Sequence, residues 1–182
     1  MEKETLVYDV RPISTIRELI ETSADEFKNR TAFVLKKDDK LYEKRYHEVM
    51  TEVKNLAAYL NAHGFEGKRV AVIGKNSYQW ALTYLAVTSG TGVIVPVDKD
   101  LKSPEITNIL RLSEAAAVVY SPELENTIQG IDLPLEKLPM AAMDTYLAEG
   151  AALRIGGDTS YETHVIDPYA MGVLIYTSGT TG

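Results

Sequence analysis

The chain has 182 residues, a formal net charge of −7, 45 % hydrophobic and 25 % charged residues, and no cysteine. That balance describes a globular chain with a buried core. It argues against disorder and against the basic face that non-specific nucleic-acid binding needs. A disulfide framework, thiol catalysis and a thiolate metal site are excluded. No apolar run approaches the ~18 residues of a membrane span, Met1–Thr5 lacks a secretory pattern, and the composition fits a cytoplasmic chain.

In chain order, Ile13, Ile16, Leu19, Ile20 and Phe27 share a helical face and predict a helix over 14–28, with Thr15 and Glu18 at capping-box spacing. Short strands over 31–35 and 41–45 flank the charged turn 36–40 and predict a hairpin. The stripe Tyr46, Val49, Met50, Val53, Leu56, Ala57 and Leu60 predicts a helix over 46–63 that Gly64 ends. Arg69–Gly74 reads as a buried strand. Asn76 and Gln79 have cap-and-box spacing for a helix to about Thr88, and 92–97 is a second apolar strand. Ser103-Pro104-Glu105 reads as a helix start, with a capping hydroxyl, a proline and an acid in the first turn. Residues 115–120 form a third apolar strand. The stretch 121–170 is broken by proline and glycine and reads as connection, apart from a helix over 141–153. Val173, Leu174 and Ile175 form a last apolar strand.

Apolar strands alternating with helices predict an α/β fold of three layers: a mostly parallel sheet covered by helices on both faces, in a single domain over 1–182. Ligands on such sheets sit at the carboxyl ends of the strands. The last strand leads into Tyr176-Thr177-Ser178-Gly179-Thr180-Thr181-Gly182. Four hydroxyls and two glycines there supply donors and a backbone whose N–H groups can converge on phosphate. Composition alone also fits a polar turn, and no Walker loop is present. His47, His63 and His164 are too far apart for metal-ligand spacing, Trp80 and Tyr84 read as packing, and Ser178 has no base to activate it. Gly90-Thr91-Gly92 follows a helix, so it is not a dinucleotide fingerprint.

The string Ile175–Gly182 closely resembles the phosphate loop of the adenylate-forming superfamily. Tyr46-His47-Glu48-Val49, Gly67–Val72, Asn76-Ser77-Tyr78-Gln79-Trp80 and Ser89–Asp98 are similar to that family's earlier segments. In the last of these a Thr-Gly replaces the usual alanine. The resemblance implies the N-terminal part of the family's large domain, most like a bacterial long-chain fatty-acid–CoA ligase. It implies ATP, Mg²⁺ and coenzyme A as the small molecules of the whole enzyme, with the β- and γ-phosphates held by Thr177, Ser178, Gly179, Thr180, Thr181 and Gly182. No catalytic or metal-ligating residue carries over to this chain, so the chain alone is expected to be inactive and to self-associate through an exposed sheet edge. The alternatives are another adenylating enzyme, such as a peptide-synthetase adenylation domain or an aryl–CoA ligase, and a non-catalytic phosphate-binding or scaffold module.

Overall fold

The computed structural model describes residues 11–37 and 39–176. Helix α1 (Ile16–Phe27) begins where the Thr15 hydroxyl accepts the Glu18 N–H at 3.0 Å and the Glu18 carboxylate accepts the Ser14 N–H at 2.7 Å. Strands β1 (Thr31–Lys37) and β2 (Lys40–Arg45) form the expected antiparallel hairpin. They take in Lys36, Lys37 and Lys40, so the connection is tighter than the charged turn read from the sequence. Helix α2 (Tyr46–Ala62) buries Val53, Ala57, Ala58 and Leu60 completely. Gly64, at φ +82°, lets the chain leave it.

The central sheet is parallel, with β3 (Arg69–Ile73), β4 (Val93–Val97), β5 (Ala117–Tyr120) and β6 (Glu136–Pro139) in the order β4–β3–β5–β6. Successive side chains point to opposite faces, so each apolar strand feeds two cores. Val70, Val72, Ile94 and Val119 face helices α2, α3 (Tyr78–Gly90) and α6 (Met143–Ile155). Ala71, Ile73, Val95, Val118 and Tyr120 face α4 (Ser103–Leu112) and α5 (Glu125–Gln129). The β3-to-β4 and β4-to-β5 connections therefore pass on opposite faces, as right-handed crossovers running in opposite directions require. This is the three-layer architecture expected from the strand pattern.

Several local expectations need correction. The cap of α3 is Ser77, not Asn76: the Ser77 hydroxyl accepts the Trp80 N–H at 3.2 Å. Helix α3 also runs two residues past Thr88, to Gly90. Ser103 is the first helical residue of α4 rather than its cap, and the Glu105 carboxylate reaches back to the Lys102 N–H at 2.9 Å. Residues 136–139, read as connection, form edge strand β6. Only its Leu138 is buried and its last residue is a proline, so it lacks the apolar run that marks the inner strands. A short helix α7 (Ser160–Thr163) was likewise read as connection. The expected last strand is reduced to one bridge: Ile94 N–H donates to Gly172 O at 3.0 Å and Leu174 N–H to Ile94 O at 2.9 Å, parallel to β4. Among the described residues no helix is long and apolar enough to cross a membrane.

Burial also sets the alkaline limit of the fold. It pushes the hydroxyls of Tyr59, Tyr78, Tyr120, Tyr146 and Tyr161 above their ordinary value of 10.0, Tyr146 and Tyr161 to about 12. At Tyr78 the hydrogen bond to Glu52, at 2.5 Å, adds to the effect. Because the folded state holds these protons more tightly, their contribution to stability is fully present below pH 10.0 and is lost as pH rises above it. Difference absorbance is expected to show a subset of the eleven tyrosines ionising only with unfolding. Ionisation of all of them as one group with native circular dichroism intact would refute this.

Candidate functional site

Because residues 172–174 run parallel to β4, the chain after them heads towards the carboxyl ends of the sheet strands. Val173 packs into the core on the α2–α3 face, and Leu174 and Tyr176 pack into the core on the α4–α5 face, so the segment is held on both sides of the sheet. The expected site residues Thr177, Ser178, Gly179, Thr180, Thr181 and Gly182 follow directly and lie outside the described residues. The described residues form the rim around that end of the sheet.

Three loops form the rim. After β3, Gly74 stands at φ +154°, and a Cβ there would lie 2.3 Å from Ser121 Oγ, so β3 and the start of the loop after β5 approach as closely as glycine permits. Ser121 is itself buried, its N–H bonded to Ile73 O at 3.0 Å, and its hydroxyl interacts with the Glu123 carboxylate. After β4, Asp98 accepts the Asp100 N–H at 2.9 Å and Lys99 pairs with Asp100 at 2.6 Å. The bond to Asp100, and then the charges of Asp100, Asp98 and Glu123, hold the Lys99 ammonium above its ordinary range. After β5, the Glu123 carboxyl is held below the ordinary range, first by its own backbone N–H and further by Ser121 and by the charge and N–H of Lys75. The rim thus offers backbone donors, two lysines and three carboxylates. Among the described residues these three loops hold no histidine to serve as a base. This suits holding and orienting a charged ligand rather than attacking it.

The other sequence candidates take structural positions. His47 Nδ1 lies 2.7 Å from Lys28 O, His63 Nδ1 2.8 Å from Tyr59 O, and His164 Nδ1 3.1 Å from Glu66 Oε1. All three sit at helix ends. Among the described residues no group of three or more His, Asp or Glu side chains could hold a metal ion. Trp80 and Tyr84 stack with centroids 5.7 Å apart and pack against the core. The close approach of Gly74 to Ser121 was not legible in the sequence, whose one signal is a glycine closing an apolar strand just before a helix cap.

The family model for AMP-binding enzymes matches residues 20–182. The chain belongs to the AMP-binding enzyme family. Within that family it is 33 % identical over 150 residues to a Bacillus subtilis protein provisionally named an acyl–CoA ligase, covering 80 % of this chain and 29 % of that protein. It is 30 % identical over 160 residues to a medium/long-chain-fatty-acid–[acyl-carrier-protein] ligase of Mycobacterium tuberculosis, covering 83 % of this chain and 28 % of that protein. The chain therefore spans under a third of the length of these curated relatives. The crystal structure of a long-chain-fatty-acid–CoA ligase from Archaeoglobus fulgidus superimposes with a TM-score of 0.73 at 21 % identity, covering 94 % of this chain and 36 % of that one. At that identity the likeness concerns the fold: a parallel sheet between helix layers, as in this AMP-binding chain.

Proposed function

We propose that the chain is the N-terminal segment, over 1–182, of a cytoplasmic AMP-forming ligase that activates a fatty acid with ATP and passes the acyl group to coenzyme A. In the first step a carboxylate oxygen attacks the α-phosphorus. The bond from that phosphorus to the bridging oxygen breaks, and pyrophosphate leaves with the electron pair. In the second step a thiolate attacks the acyl carbon and expels AMP. The observation that carries this reading is the family match running through Gly182. The parallel bridge of Val173 to Ile94, which precedes the hydroxyl-rich loop, supports it. In this reading the hydroxyls of Thr177, Ser178, Thr180 and Thr181 and the N–H groups of Gly179 and Gly182 hold the β- and γ-phosphates and stabilise charge on the departing pyrophosphate. Mg²⁺ would neutralise the phosphates. Among the described residues no group of three or more His, Asp or Glu side chains is gathered to hold it.

The test is ATP–pyrophosphate exchange by the product of the full reading frame that carries these residues. Exchange is expected to depend on a medium- or long-chain fatty acid and to fall about 10²-fold in Thr180→Val, the loss typical of one oxyanion donor. The 182-residue chain alone is expected to show none. Exchange driven by amino acids or aryl acids instead would overturn the substrate. Exchange by the isolated chain would overturn its dependence on further segments.

A further inference from the structure

Hairpin β1–β2 stands as a two-stranded sheet, so β1 has an outer edge that pairs with no other strand among the described residues. Alternate N–H and C=O groups on such an edge point away from β2 and can bond an added strand. A groove of about 710 Å³ runs along this edge. Its near wall is Phe33, Val34, Leu35 and Lys36. Successive side chains of a strand point to opposite faces, so four consecutive residues line one groove only where the strand edge itself is the wall. The far wall is residues 76–81, the cap and first turn of α3, including Tyr78 and Trp80. Phe33 and Tyr78 meet edge to face with centroids 5.2 Å apart, joining the two walls. The two faces of β1 differ. Phe33 and Leu35 are half-buried, whereas Val34 and Lys36 are exposed.

We propose that this groove takes an extended peptide that adds to β1 as a third strand, with apolar and acidic residues alternating along it. Main-chain bonds to the β1 edge hold the peptide, and side chains on alternate positions select it. Its inward side chains lie with Phe33, Tyr78 and Trp80, and its outward carboxylates lie beside Lys36. Charge decides the class of peptide. Among the described residues Lys36 is the only charged one that lines the groove, α3 has no acid in its first turn, and the chain as a whole carries −7. The groove is therefore a cationic spot on an anionic chain, complementary to carboxylates. Without a partner Lys36 pairs with Asp39 at 2.9 Å, their side chains 67 % and 95 % exposed. A pair so exposed is weakly held, so Lys36 can turn to a bound carboxylate. The groove contains no residue of 172–182 and does not depend on ligase activity.

The test uses the whole chain, whose single tryptophan, Trp80, lines the groove and reports on it by fluorescence. The probe is a capped hexapeptide alternating valine and glutamate, and its control alternates valine and lysine. A saturable change in Trp80 emission is expected with the glutamate peptide, at lower concentration than with the lysine peptide. Asp39→Asn keeps a residue type that accepts the φ of +56° found there. It is expected to tighten binding roughly two- to five-fold, the worth of one exposed pair. Two further glutamate peptides carry N-methyl groups, one on its valines and the other on its glutamates. Only alternate N–H groups of an added strand face its neighbour, so one of the two should lose at least about tenfold in affinity and the other should bind as the parent does. Equal affinity of the two N-methylated peptides, or of the glutamate and lysine peptides, would overturn the proposal. So would the lack of a saturable change in both the wild-type chain and Asp39→Asn. A dimer in sedimentation velocity that excludes the peptide would give the edge to a second copy and overturn it as well.

Discussion

Tyr161→Ala is expected to cost about 3–5 kcal/mol, the range for removing a fully buried aromatic ring. Tyr161 is 0 % exposed although it lies in the four-residue helix α7. Its ring fills a slot that exists because residue 90 is glycine: a Cβ at Gly90 would come within 2.2 Å of the ring. The Arg17 guanidinium lies 4.6 Å from the ring centroid and the Lys54 ammonium 5.3 Å, and both cations lose that attraction with the ring. Arg17 also donates to Ser89 O at 2.6 Å and His164 O at 2.9 Å, tying α1 to α3 and to the chain leading towards Val173. The effect of Tyr161→Ala should therefore reach the approach to the terminal loop. Tyr161→Phe separates ring from hydroxyl. The hydroxyl is buried without a partner among the described residues, so its removal should be near neutral or stabilising. Urea midpoints of the two variants test the argument. An unchanged midpoint in Tyr161→Ala, or an equal loss in Tyr161→Phe, would refute it.

Gly150→Ala is expected to destabilise by about 2 kcal/mol, although alanine is the better helix former. Gly150 is inside α6, where the substitution contributes at most ~1 kcal/mol of helix propensity. Against this, the new Cβ would sit 1.9 Å from Asn55 O and 2.7 Å from Asn55 C, both backbone atoms of α2. A side chain could rotate away, but the backbone of a buried helix cannot. Helix α2 is held in the core by Val53, Leu56, Ala57 and Leu60, each at most 2 % exposed. The two helices must separate, and overpacking of this kind costs typically 1–3 kcal/mol or more. With ~2–4 °C lost per kcal/mol in a chain of this size, the melting temperature should fall about 4–8 °C. A melting temperature that rises, as at an unconstrained helical glycine, would show that α2 and α6 are not in this contact.

Both effects arise from contacts between residues far apart in the chain, and that separates what was legible from what was not. The inner strands could be read because burial on both faces makes them continuously apolar: Val70–Ile73 and Ala117–Tyr120 are each at most 2 % exposed. Long helices could be read because their stripes are local and periodic. Adjacent polar residues such as Asn76 and Ser77 could not be ranked as caps, because one residue of register decides which side chain reaches the helix N–H groups. Strand β6 was hidden because an edge strand with one buried side chain has no apolar run to announce it.

By itself, the sequence determined the fold class, the order of its main elements and, through Ile175–Gly182, the family to which it belongs. These rest on local pattern: periodicity, turn chemistry and a specific string. The tertiary structure alone decided where backbones touch: Gly150 on Asn55, Gly90 on Tyr161, and Gly74 on Ser121. It also decided which strand edge receives residues 172–174. A glycine reads the same whether it ends a turn or admits a neighbouring chain, because the atoms that would clash with its missing side chain belong to residues brought beside it only by folding.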